Sequence, residues 1–353
     1  MKKTMIKHAI RMISFCLMLA VLLSGSALAD AKIRKIGTLS LLNLTENGFA
    51  AIQKERMEGV LLLEDLGSNE SVPAGLIAEN PEIVYFDSLN ELLMALESGA
   101  IQAADLSRDV AAYITARHDD LRILWDFGSK ESTENNLLAS FLMESILSYD
   151  FSFMGTAENE DLVTKMEAAA ESMMEDGTMD KLKKEFIEGA MNGDPEVATL
   201  QPTDGWETIR VIVTGDMPPI DYITASGEPT GFNVALLTEI GKRIEKNIRM
   251  VTANAGARAL MLTSGEADIA FWTRSSDGYI FFTEENLTPE DWEELFDIED
   301  EEDLKQVELI EEKLLPGMDM ETYGNMDVPE GLVISSPYYG SVSVLLVKKE
   351  TLE

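Results

Sequence analysis

The stretch Ile209-Arg210-Val211-Ile212-Val213-Thr214-Gly215-Asp216-Met217-Pro218-Pro219-Ile220-Asp221-Tyr222 decides the fold. Ile209 to Thr214 is rich in β-branched residues and reads as a strand, and Gly215 to Pro219 has the chemistry of a turn. Downstream, Phe232, Leu236, Ile240 and Ile244 recur at helical spacing, so residues 232–244 read as an amphipathic helix. Ile248 to Thr252 is a strand, Arg258 to Thr263 a helix and Ala267 to Thr273 a strand. Strands alternating with helices predict a parallel sheet covered on both faces.

The N-terminal half follows the same logic. Ile33 to Leu42 reads as strand and turn, 48–66 as a helix and Glu82 to Phe86 as a strand. Asp87 or Ser88 caps a helix over Leu89 to Glu97, then come a strand over Ile101 to Leu106 and a helix over Arg108 to Arg117. Both halves end a helix in Ser-Gly before an apolar strand, at Ser98-Gly99 and Ser264-Gly265, where glycine adopts the left-handed conformation that stops a helix. Residues 188–207 carry Gly189, Asn192-Gly193-Asp194-Pro195, Pro202 and Asp204-Gly205, the composition of a linker.

One segment fits neither half. Residues 283–312 are strongly acidic, and Thr288-Pro289-Glu290-Asp291 has the form of a helix start. The run Asp297 to Asp303 lacks the glycine that a calcium-binding loop needs for its sharp turn. It reads as a solvated surface helix.

The chain has 353 residues, 28 Lys+Arg against 64 Asp+Glu, and a net charge of −36. No basic patch follows residue 11, which argues against nucleic acid as a partner, because phosphate binding needs clustered cations. Lys2, Lys3, Lys7 and Arg11 precede an apolar run from Met12 to Leu23, and Ala27-Leu28-Ala29 is a small-x-small cleavage site. Residues 1–29 therefore read as a signal peptide, with an uncleaved N-terminal anchor as the alternative. Cleavage after Ala29 removes four basic residues and no acidic one, taking the charge from −36 to −40, and it removes Cys16 and His8. The mature chain then has no thiol, and His118 as its one histidine lies in a polar helix end. A zinc site of Cys and His is excluded, no cofactor is expected, and the chain does not read as an enzyme.

The quoted stretch, continued by Gly227-Glu228-Pro229-Thr230-Gly231-Phe232-Asn233-Val234, resembles the first lobe of bacterial extracellular solute-binding proteins, family 3, the polar-amino-acid type. Ser335-Ser336-Pro337-Tyr338-Tyr339 and the run Val342 to Lys348 resemble the family's later strand toward the second lobe. Lys35-Ile36-Gly37-Thr38, Val84 to Ser88, Ala95 to Gly99 and Val110 to Tyr113 follow the order of that second lobe. Asp150 to Met154 resembles the strand returning to lobe one, and residues 161–182 resemble the terminal helices. The resemblance implies an α/β, two-lobed periplasmic-binding-protein-like type II fold, each lobe a mostly parallel sheet flanked by helices. The lobe order departs from the family: 30–187 resembles the second lobe and 208–353 the first, with an acidic insertion at about 275–331. A circular permutation and two truncated tandem copies both account for this order. The permutation requires residues near Tyr339 to meet those near Phe153.

The resemblance places a ligand in the cleft between lobes, at strand ends and helix N-termini. Trp272, Thr273 and Arg274 end a strand at the family's ligand-binding position. Arg274 is a carboxylate partner or a surface ion pair, and Trp272 an aromatic wall or core. Asp221 and Tyr222, after the Pro-Pro turn, reach the cleft or build the hairpin. Ser107 stands where the family places an ammonium-binding Asp, flanked by Asp105 and Asp109; of these Ser107 and Asp109 are taken as candidates. Asn233 replaces the family's usual Asp.

The expected function is that of an exported, periplasmic or cell-surface, solute-binding component of an ABC-type transporter. It would bind a small polar solute such as an amino acid by hinge closure and deliver it to a membrane permease. A ligand-sensing module for a membrane receptor and a homologue that binds no solute remain as alternatives.

Overall fold

The computed structural model describes residues 32–39, 76–124, 148–193, 195, 202–224, 227–253, 257–275 and 331–352, with backbone alone at 79–80, 148–150, 272–275 and 352. The leader at 1–29, the helix expected around 48–66 and the acidic segment at 283–312 lie outside these residues.

The chain begins with β1 (Ile33–Leu39) and β2 (Ile77–Phe86), which run parallel and share a register irregularity between Ile33 and Lys35. That irregularity lets pairing continue to Ile77, so β2 starts earlier than its apolar core at Glu82 to Phe86 suggests. Helix α1 (Leu89–Ser98) follows at once. Ser88 caps it by accepting from the Glu91 N–H, and Gly99 ends it at φ 76°. Its Leu89, Leu92 and Leu96 are buried on one face, as their spacing of three and four dictates. Each such leucine contributes about 1.5–3 kcal/mol through burial. β3 (Ala103–Ser107) then pairs parallel with β1 on its other side, followed by α2 (Arg108–Thr115) and the short β4 (Leu121–Ile123).

A second sheet opens with β5 (Ser148–Thr156), followed by α3 (Glu160–Glu175) and α4 (Thr178–Lys183). β6 (Glu207–Val213) leads into three short strands, β7 (Asp216–Met217), β8 (Asp221–Ile223) and β9 (Pro229–Thr230), which form a small antiparallel sheet of their own. Then come α5 (Phe232–Arg243), β10 (Lys246–Thr252), α6 (Arg258–Thr263) and β11 (Ile269–Ser275). β10, β6 and β11 are parallel, and β11 pairs antiparallel with β5. α3 packs on β5 and α5, which places these helices on the lobe of the second sheet; from here the lobes are named in chain order, the first around β1 to β4 and the second around β6, β10 and β11.

The last two strands tie the lobes together. β12 (Leu332–Ile334) pairs with β5, and β13 (Tyr339–Lys348) belongs to both sheets. Its first residues pair with β5, as Tyr339 with Phe151, and its later residues pair with β3 and β4, as Val344 with Leu106. Chain order and lobe membership therefore do not coincide. The chain builds most of the first lobe, then the second, and returns to the first as the end of β13. The architecture is mixed α/β: β2, β1 and β3 are parallel on one side and β10, β6 and β11 on the other, and the antiparallel strands β5 and β13 join them.

Candidate functional site

The two lobes face each other across a cavity of about 330 Å3. The first lobe lines it with Leu39, the last residue of β1, and with Asp87, Ser88 and Leu89 at the start of α1. The second lobe contributes the segment from Thr214 to Met217 just after β6, Thr252 and Ala253 at the end of β10, and Arg258 on α6. The site thus sits at the carboxyl ends of parallel strands and at a helix N-terminus, where strand side chains end and free N–H groups begin.

Arg258 is 2% exposed. Its Nη1 donates to the Phe271 carbonyl at 3.1 Å, while Nε and Nη2 are buried with no hydrogen-bond partner among the described residues. Burial pulls this guanidinium's pKa down, opposed by the nearby carboxylates of Asp221 and Asp216 and by Tyr338. Arginine stays charged in proteins, so the site holds a buried cation with N–H groups to spare.

Asp216 lies on β7, on the same lobe as Arg258. Its Oδ2 accepts from the Leu89 N–H at 3.2 Å, a contact between the lobes. Burial raises the Asp216 pKa; the Leu89 N–H opposes this, Asp221 adds to it and Arg258 opposes it.

Beneath the cavity Asp221 organises the turn. It is 1% exposed and accepts from Thr214 Oγ1, from the Gly215 N–H at 2.7 Å and from Asn233 Nδ2 at 3.0 Å. Asn233 Oδ1 in turn accepts from the Tyr338 hydroxyl at 3.0 Å. Burial pushes the Tyr338 pKa well up, Asp221 adds to this, and the Asn233 hydrogen bond opposes it. Tyr338 stacks on Phe153 at 4.6 Å between ring centroids and meets Phe271 edge-on. The amide at position 233 has a physical reason here. A carboxylate would face Asp221 within hydrogen-bond distance, whereas the amide offers Asp221 a donor and Tyr338 an acceptor.

The residues singled out in the sequence fall into three groups. Asp221 and Tyr222 are internal: Asp221 is the hub just described, and Tyr222 packs on Tyr113 of the first lobe at 5.9 Å. Ser107 precedes α2 and makes no side-chain cap hydrogen bond, while its backbone pairs with Ser343 of β13. Asp109 accepts from the Tyr339 hydroxyl and from Ser341 Oγ, the latter at 2.6 Å, so its carboxylate fastens α2 to β13. Neither Ser107 nor Asp109 lines the cavity. Trp272, Thr273 and Arg274 pair through their backbones with Ser152, Phe151 and Asp150 of β5, and their side chains lie outside the described atoms.

Asp216 and Arg258 escaped the sequence reading. Each had a local signal: Asp216 sits inside the opening motif, and Arg258 is the lone charge in Ala257-Arg258-Ala259-Leu260-Met261-Leu262. Among the described residues no cluster of His, Cys, Asp and Glu could hold a metal ion, and no helix is long and apolar enough to cross a membrane.

Residues 209–278 match the family model of bacterial extracellular solute-binding proteins, family 3. No curated protein matches the chain. Among solved structures, the chain is similar to the zinc-bound ligand-binding component of an ABC-type import system from Staphylococcus aureus. Identity there is 11% and the TM-score 0.36, over 90% of this chain and 66% of the other, just under two thirds of its length. The phosphate-binding protein of a phosphate ABC transporter from Streptococcus pneumoniae gives 12% and 0.31, over 90% and 89%. The BvgS VFT2 domain of Bordetella pertussis gives 12% and 0.33, over 92% and 83%. Residues 209–278 thus match the family model of bacterial extracellular solute-binding proteins, family 3, within a mixed α/β fold.

Proposed function

We propose that this chain is an exported solute-binding protein that captures a small polar solute with an anionic group, such as an amino acid, and delivers it to a membrane permease. The observation that carries this reading is Arg258. A buried guanidinium, two of whose nitrogens have no partner among the described residues, lines the cavity between the lobes. A carboxylate is its natural complement, because the planar fork matches two carboxylate oxygens and the hydrogen bonds are charge-assisted. The N-terminus of α1, on the opposite wall, favours negative charge as well. The cavity volume is at the small end of the range for ligand pockets, about 300–1,000 Å3, which suits a solute of a few heavy atoms. The mechanism is lobe closure: a solute touching both walls stabilises the closed arrangement by its differential affinity for it. The lobe order of the chain is read here as a permuted arrangement, supported by the pairing of Tyr339 with Phe151 within one chain.

Thermal-shift screening of the exported protein against amino acids and small carboxylates tests this. At least one solute raises the midpoint, and Arg258→Met abolishes that rise. A panel without any shift, or a shift that survives Arg258→Met, rejects the reading.

A further inference from the structure

We propose that Asp216 is a latch between the lobes: its carboxylate, carried on the second lobe, takes the N–H at the start of α1 on the first and competes for the place of an anionic solute. The part concerning solute rests on the function proposed above; the latch itself does not.

The geometry has four components. Leu89 is the first residue of α1, so its N–H has no partner within the helix, and it donates to Asp216 Oδ2 at 3.2 Å. The Ser88 hydroxyl serves Glu91 rather than Leu89, which leaves the Leu89 donor to the other lobe. The ten-residue α1 presents the positive end of its dipole to this carboxylate. Finally, Arg258 lines the same cavity with two buried nitrogens that have no partner among the described residues, and acts electrostatically on Asp216.

Asp216 is held in place for this role. It follows Gly215 at φ 77° and pairs with Tyr222 in the small sheet. Asp221 fixes the turn by accepting from the Thr214 hydroxyl and the Gly215 N–H. The charged groups around Asp216 oppose one another: Asp221 on β8 repels it, Arg258 on α6 attracts it, and Asp87 lines the same cavity from the first lobe. Tyr113 of the first lobe also meets Tyr222 of the second as a tilted aromatic pair. Arg117, just past α2, also donates to the Ala190 carbonyl at 2.9 Å, but among the described contacts the Leu89–Asp216 bond is the one whose two partners line the cavity.

Two consequences follow. Removing the acceptor opens the cleft. An anionic solute that uses α1 and Arg258 must displace a tethered carboxylate, so its apparent affinity is reduced by the latched fraction.

Spin labels at Met94→Cys on α1 and Leu260→Cys on α6, both exposed positions on different lobes, report the lobe separation in the full chain carrying Cys16→Ser. Asp216→Ala shifts the distance distribution to longer values. Leu89→Pro does the same from the other side, because proline removes the donor at a helix position that tolerates it. The double variant opens no further than either single one. A distribution unchanged in whichever variant folds overturns the latch. With inorganic phosphate as the probe, Asp216→Ala binds about tenfold more tightly than the unsubstituted chain; equal affinity overturns the competition. The distance measurement uses no solute, so a failed solute screen rejects the function above and leaves the latch standing.

Discussion

Phe153 and Ser335 stand 182 positions apart and are joined by two hydrogen bonds. The Phe153 N–H donates to Ser335 Oγ at 2.9 Å, and the Ser335 N–H donates to the Phe153 carbonyl at 2.9 Å. Phe153 is fully buried and Ser335 is 3% exposed, so water replaces neither bond. This clasp fixes the chain on β5 just before it enters β13 and crosses to the first lobe. Ser335→Ala leaves a buried N–H without a partner and lowers the unfolding free energy by about 1–3 kcal/mol, read by urea denaturation.

Asp221→Ala is more damaging. It strips the acceptor from the Thr214 hydroxyl, the Gly215 N–H and the Asn233 amide, all beneath the cavity. The loss exceeds about 3 kcal/mol, measured as the fall in denaturation midpoint at constant slope.

Arg210 and Asp268 make a bidentate pair, with Nε to Oδ2 at 3.0 Å and Nη2 to Oδ1 at 2.6 Å. Burial pushes the Asp268 carboxyl up, but the Arg210 side-chain and backbone hydrogen bonds together outweigh it and hold the pKa below 3.8. A carboxyl depressed in the folded state adds stability above its unfolded pKa and loses it as pH falls through the folded value. The unsubstituted chain therefore loses stability as pH falls below the ordinary carboxylate range, a loss that Asp268→Asn does not show. With the side chains 30% and 23% exposed, solvent screening limits the difference to about 1 kcal/mol, measured by thermal unfolding across that range.

Gly231→Ala tests the entry to α5. Gly231 has φ 106°, and a Cβ there would lie 2.6 Å from the Ile220 carbonyl oxygen and 2.8 Å from that of Pro219. The approach is forced, because those same carbonyls accept from the N–H groups of Asn233 and Phe232 at 2.8 Å and 3.0 Å. The alanine variant loses about 2 kcal/mol or more, seen as a drop in melting temperature and in folded yield.

Most of the α/β alternation was legible because hydrophobic period and capping are local. Helix α6 spans Arg258–Thr263 as its pattern indicates, and Gly99 and Gly265 both adopt the left-handed conformation expected of them. The site was less legible. Within its own segment Asp109 offers a carboxylate with no visible partner, whereas Tyr339 and Ser341, more than 200 positions away, donate to it. Asp221 looks like a cleft residue until Asn233 folds over it. Each depends on hydrogen-bond partners that no sequence window contains.

By itself the sequence determined the order of strands and helices, the turn after β6 and the segment 209–278 that matches a known family, since these rest on neighbouring residues and their spacing. Only the tertiary structure decided that β13 belongs to both sheets, that Arg258 is buried with nitrogens to spare among the described residues, and that Asp216 takes the Leu89 N–H of the other lobe. Burial, unmet hydrogen-bonding capacity and opposition across a cleft belong to surroundings assembled from distant parts of the chain, and they exist only once the lobes have met.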